Sequence, residues 1–360
     1  MAKRWVLGTL LALAGGLNAG DLIDWNSVEL GKGAGSYADE EGGKVGLKLV
    51  EGPSKGQKAL QVTADFKHWG GAWAYAGDTD LSKASGLRFK AKAAQGAHLL
   101  VSLTDHKKVQ VEATVRVQAG DWQDFALPMA LFKKSAWQQP EAPKDGAFDP
   151  SKVTTLNLSP RGAGKSGFSV GPLSIATGPL EAATGMMDGF GKDGALLVQD
   201  FEGLGTGAYG TFVDEAGSKL GLALKAGERG QGLAFSSQQA EGGWSGAWMR
   251  AGDAWGGQDW RGAKRITLRV KSGKPVALQL AFNDAKQNAY ISSDVTAEGG
   301  KGWQTLELPF SSFTLNPYYQ PPQAQKGAAL DLSHIETFNI SVRTPGKAEF
   351  VVDEVVLFKK

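Results

Sequence analysis

The sequence predicts an all-β chain of two tandem antiparallel β-sandwiches of jelly-roll type. Three observations carry this. Short stretches alternate apolar and polar residues, the mark of half-buried strands. Glycine takes 50 of 360 positions, about twice its usual ~7% share, as a turn-rich chain requires. The third is repetition, which indicates a duplicated domain when order and spacing are kept. "YADEEGGKVGL" (37–47) returns as "FVDEAGSKLGL" (212–222), and "WGGAWAYAGD" (69–78) as "WSGAWMRAGD" (244–253). "DWQDFALPMALF" (121–132) returns as "GWQTLELPFSSF" (302–313), and "FDPSKVTTLNLSPR" (148–161) as "LDLSHIETFNISVR" (330–343).

From the N-terminus, the chain opens with Lys3 and Arg4, then an apolar run to Leu17 and a small exit residue, Ala19. A basic start, short apolar stretch and small-residue exit predict a signal peptide over 1–19 and an exported, periplasmic or extracellular product. The run is too short to be a membrane span. Cysteine is absent, so stability must come from buried cores rather than disulfides. Lys and Arg total 39 against 37 Asp and Glu. Without Lys3 and Arg4 the 39 becomes 37, and a balanced chain has no electrostatic footprint for nucleic acid or an anionic membrane.

The first domain is expected over 20–175. Its strands include "LLVSLTD", with Leu99, Val101 and Leu103 on one face, and "VQVEATVRV" (109–117), with valines and Ala113 on one face. A linker over 176–195, rich in small residues, carries one short helical turn around Leu180 to Thr184. The second domain follows over 196–360. In it "ALQLAFND" sets Leu278, Leu280 and Phe282 against Gln279, Ala281 and Asn283, and "FVVDEVVLF" closes the chain as a largely buried strand.

The order of these motifs, from the Trp-Gly strand through "DLSKASGLRFKAKA" (80–93) and "GWQTLELPFSSF" to "DLSHIETFNISV" and "FVVDEVVL", resembles the galactose-binding-like jelly rolls. Within these it is most similar to carbohydrate-binding module family 11 and to the complex I intermediate-associated protein family. The resemblance spans both halves and implies a non-catalytic module for a polysaccharide or oligosaccharide, with a carbohydrate-active enzyme as possible companion. Its alternative is a protein-interaction or assembly factor; a polysaccharide-cleaving jelly roll is a third reading.

The residues carry little catalytic chemistry. His68, His98, His106 and His334 include no close metal pair. "GAGKSG" (162–167) lacks the first glycine of a phosphate loop, which would fall at Ser159. The carboxylates at Asp39–Glu41 and Asp214–Glu215 precede glycine turns and read as solvated hairpin tips.

Binding chemistry is richer. In an extended strand Trp69, Gly71, Trp73 and Tyr75 share one face, and Gly70, Ala72 and Ala74 the other; Trp244 and Trp248 repeat the pattern, with Arg250 in place of Tyr75. That replacement makes the small-residue face the inner one, although a tryptophan folded inward as a core plug remains open. "TLNLSPR" and "TFNISVR" turn Asn157, Ser159 and Arg161, or Asn339, Ser341 and Arg343, to one face, a row of donors suited to sugar hydroxyls or to cross-strand pairing. Aromatic platforms beside such a row form a sugar site. The expected sites are Trp69, Trp73, Tyr75, Asn157 and Arg161, and Trp244, Trp248, Asn339, Ser341 and Arg343 extended by Gln279, Asn283 and Tyr290. The resemblance further implies a structural calcium where first and last strands meet, with Asp200, Glu202 and Asp353 as ligands, since calcium takes hard oxygen donors. Ordinary strand-end carboxylates are the other reading. In the first half Gly171 stands in place of Asp353.

Overall fold

The computed structural model describes residues 18–135, 137–161, 164–180, 187, 189–202, 209–252 and 257–360. The leader expected over 1–19 lies outside these residues except for Asn18 and Ala19, which open the first strand. The expected helical turn around Leu180 to Thr184 falls mostly outside them as well. Ala176 and Ala195 are strand ends rather than linker. Among the described residues no helix is long and apolar enough to cross a membrane.

Four sheets form two sandwiches, and their ladders are antiparallel. In the first domain one sheet runs, edge to edge, Lys133–Lys134, Gln110–Val117, Ala97–Asp105, Val153–Pro160, Gly70–Thr79 and Ala34–Ala38. It packs on a second sheet running from Asn18–Ile23 through Leu173–Ala176, Gly86–Lys92, Gly164–Val170 and Lys58–Phe66 to Lys44–Glu51. The second domain repeats the plan. Tyr209–Val213, Ser245–Arg250, Thr337–Val342, Val276–Asn283, Ala289–Ile291 and Thr314–Leu315 form the sheet that carries its tryptophans. Each domain has its own core: Leu60, Leu99, Val101, Leu103 and Leu156 in one, Phe235, Leu278, Leu280, Phe338 and Ile340 in the other.

The alternation read from the sequence sets the faces. Ala72, Ala74 and Ala76 are buried in the first core, and Ala247 and Met249 in the second. The tryptophan face is therefore the outer one. Ala97–Asp105 departs from a half-buried strand: all nine residues are buried, so both its faces are covered.

The halves differ at their closing strand. In the first, Gly171-Pro172 separates Gly164–Val170 from Leu173–Ala176, because proline has no N–H for the ladder. In the second, Gly346–Phe358 runs through unbroken. A bulge at Glu354, with φ 38° and a register shift in the ladder to Arg265–Ser272, marks the same place, and such bulges re-aim a side chain.

Candidate functional site

The outer face of the first tryptophan sheet holds a cleft of about 820 Å³. Trp69, Tyr37 and His68 form one side, and Trp137 and Gln139 the other. Glu112, Asn157, Ser159 and Arg161 supply polar groups between them. Register explains the convergence: Asn157 stands between Trp73 on one neighbouring strand and Ser102 on the other, and Ser102 faces Glu112.

Trp69 is 52% exposed and Trp137 64% exposed, so both indoles present open ring surface. Tyr37 stands 6.1 Å from Trp69, ring to ring, and its hydroxyl lies 2.6 Å from that of Ser159. Burial pushes the Tyr37 phenol up, keeping it neutral. Arg161 Nη2 donates to Glu112 Oε1 at 2.9 Å, so the cleft's cation and its carboxylate neutralise each other. Trp69, Asn157 and Arg161 thus meet as the sequence predicts. Trp73 and Tyr75 do not line the cleft; they lie beside it as an edge-on pair with centroids 5.1 Å apart.

Asp39, read from the sequence as part of a solvated tip, is buried. It accepts the backbone N–H groups of Lys67, His68 and Trp69 at 3.1, 2.9 and 3.4 Å on one oxygen. Those of Glu41 and Gly43 reach the other. The N–H of His68, with those of its neighbours, holds this carboxyl below the usual range. The repeat preserves the device, since Asp214 accepts the Trp244 N–H at 2.5 Å. The turn carboxylate in each half therefore fixes where its tryptophan leaves the turn.

In the second domain Trp244 is 46% exposed and lies 5.8 Å from Phe212. Trp248 lies across Gly210, where an added Cβ would come within 1.9 Å of its indole nitrogen; Trp73 lies across Gly35 in the same way, at 2.8 Å. Trp248 and Asn339 are register partners, and Ser341 pairs with Gln279. Gln279 Nε2 donates to Ser292 O at 3.0 Å, and Asn283 is half-buried on the same outer face. Arg343 is exposed beside Asp294, at 3.6 Å, so it stands at the rim, unlike Arg161.

Tyr290 corrects the expected site. It pairs in register with Phe282, and cross-strand partners share a face, so it turns into the core and stacks on Phe282 at 5.7 Å.

The sequence reading missed Trp137 and its counterparts Tyr318 and Tyr319, which are 88% and 60% exposed. A glutamine amide anchors each loop. Gln138 exchanges hydrogen bonds of 2.9 Å with the Gln110 backbone in both directions. Gln320 does the same to Ala289 at 3.0 and 2.9 Å. The signal was present in the repeat: "WQQP" (137–140) and "YYQP" (318–321) each lead from an aromatic through glutamine to proline.

The predicted calcium ligands do not share a centre. Asp200 Oδ1 is 2.6 Å from His98 Nε2 and its Oδ2 2.6 Å from Arg116 Nε. Asp353 Oδ2 accepts the backbone N–H groups of Glu228 and Arg229, and Glu202 Oε1 that of Gln231. Among the described residues no three carboxylate or imidazole groups are placed to hold a metal ion. The donors are committed to cations and amides of the chain, and the set does not fit a calcium cage. Burial pushes Glu202 up to about 7 and Asp353 up to about 6. It also pushes Asp200 up, but His98 and Arg116 outweigh this and hold Asp200 below the usual range.

Comparison with known proteins gives the second domain its kinship. Residues 191–360 match the carbohydrate-binding domain of family 11. The second domain is similar to a family 11 jelly roll, and the first domain repeats its strand plan. Endoglucanase H of Acetivibrio thermocellus is 27% identical over 169 residues, 46% of this chain. The matched part is only 18% of that relative's length. A family 11 carbohydrate-binding module from Clostridium thermocellum, solved with a β-1,3-1,4-mixed-linked tetrasaccharide, is 26% identical. That match covers 46% of this chain and 95% of the module, with a TM-score of 0.38. The N-terminal CBM22-1-CBM22-2 tandem domain of Paenibacillus barcinonensis Xyn10C is 16% identical, covering 96% of this chain and 99% of that one, with a TM-score of 0.31.

Proposed function

We propose that the chain is an exported, non-catalytic binder of a neutral polysaccharide or oligosaccharide, held in the cleft of its first domain. One observation carries the reading: Trp69 and Trp137 expose indole surface on two sides of one cleft whose middle is polar. A sugar ring offers a C–H face to an indole and hydroxyls to Asn157, Ser159 and the Glu112–Arg161 pair, and sites of this kind are largely preformed. The pairing of Arg161 with Glu112 leaves no spare charge for an acidic sugar. Glycoside hydrolysis needs two opposed carboxylates, and Glu112 is the one carboxylate among the described lining residues. The family 11 match of the second domain supports the same ligand class. Trp244, Trp248, Tyr318 and Tyr319 offer a second, more open surface for a longer chain. Export rests on the basic, then apolar, then small-residue leader, and a carbohydrate-active enzyme is the natural companion of such a module.

Isothermal titration of the full chain against mixed-linked β-glucan oligosaccharides, with xylan and agarose oligosaccharides as comparators, tests this. Saturable binding that is weakened by Trp137→Ala is expected. No heat with any neutral glycan would overturn the reading.

A further inference from the structure

We propose that Asp200, Glu202 and Glu354 form the socket of a metal-independent joint, which receives His98 and Arg116 of the first domain and fixes the two domains to each other. His98 and Arg116 are register partners on adjacent strands and point from the same outer face that carries Glu112. Arg116 reaches Asp200 with Nε at 2.6 Å and Glu354 with Nη1 at 2.6 Å, while His98 takes the other oxygen of Asp200. His98 and Asp200 are 0% exposed and Arg116 7% exposed. The Glu202 carboxyl packs on Gly96, where an added Cβ would lie 2.8 Å from its carbon. Away from this cluster, Lys133 of the first domain helps hold down the Asp259 carboxyl, which Arg261 lowers first.

Burying one charge without its partner is strongly unfavourable, so these groups are compatible with burial only together. Asp353, a further buried acid, is already served by the N–H groups of its own domain, and Arg229 adds a cation at 3.5 Å from Glu354 on the exposed side.

The duplication supplies an independent argument. The positions of His98 and Arg116 recur in the second domain as Ala277 and Thr296, which are register partners in turn. Asn26 and Pro172 stand in the first domain where the second has Glu202 and Glu354. The halves have diverged in complementary ways where they meet, the first keeping the basic side chains and the second the acids. Asp200 is the exception, since Asp24 matches it. The joint also abuts the cleft, because the Arg161 N–H donates to His98 O at 2.8 Å, and so it sets the angle between the two tryptophan faces. It stands whether or not the cleft holds a glycan.

Small-angle scattering and calorimetry of the full chain test the joint. The wild type should scatter as one compact particle, melt in one transition, and be indifferent to chelator or added calcium. Arg116→Ala should enlarge the radius of gyration and split the melt into two transitions. Gly96→Leu, a wedge between the loop before Ala97–Asp105 and Glu202, should do the same with both domains intact, and it decides the question if Arg116→Ala does not fold. A wild type that scatters as two freely tethered bodies, variants that stay compact, or a melt that calcium raises and chelator lowers would each overturn the proposal.

Discussion

Trp69→Ala separates binding from folding in one experiment. A tryptophan side chain presents on the order of 200 Å², and Trp69 is 52% exposed, which leaves roughly 100 Å² open. A sugar ring stacked on one face covers about half of that. At ~25 cal/mol per Å² the stacking contributes ~1.3 kcal/mol, roughly a tenfold change in affinity. Trp137 is 64% exposed and contributes a similar amount from the opposite side. The double variant should therefore lose about 2.5 kcal/mol, or roughly sixty- to seventyfold, since sites that share no direct contact add. Both rings stand clear of the core, so thermal stability should stay within about 0.5 kcal/mol of wild type. Isothermal titration against a soluble β-glucan reads the first quantity and calorimetry the second. Unchanged affinity in the double variant, or a melt that collapses while binding persists, would refute the platform reading and make the rings architectural.

Asp39→Ala should weaken glycan binding by releasing the backbone at His68 and Trp69, while Glu40→Ala on the same turn should not; titration of both variants checks this. The Asp39 carboxyl titrates below its unfolded value, so its contribution to folding is complete above the ordinary carboxylate range. It is lost only as the pH falls through the lowered value, and an acid titration of the full chain's stability, wild type beside Asp39→Ala, reads that window. Gly210→Ala forces Trp248 off its seat, and overpacking of this kind costs about 1–3 kcal/mol, seen as a lower melting temperature of the full chain in calorimetry. Tyr290→Phe should leave binding unchanged because the ring is core, whereas Tyr290→Ala should cost about 3–5 kcal/mol of stability by denaturant titration.

Much of this protein was legible in its sequence because the signals are local. Period-two alternation gave the strands, and the alanines opposite Trp69, Trp73 and Trp244 gave the buried face. The repeat gave two domains with separate cores. It also placed Asn157 and Arg161 on the tryptophan side, where the structure finds them lining the cleft with Trp69. What the sequence could not decide depends on which strands become neighbours. Tyr290 reads from the sequence as an extension of the second site, yet pairing with Phe282 turns it inward, and pairing is a tertiary fact. Asp39 looked like a surface acid until the fold closed three distant N–H groups over it. Asp200, Glu202 and Asp353 matched a calcium set by chemical type. Only the packing of one domain on the other brought His98 and Arg116, some 100 residues earlier, against Asp200 and gave that carboxylate a cationic partner from the chain itself. Residue type fixes which charges must be compensated, and the tertiary structure decides what compensates them.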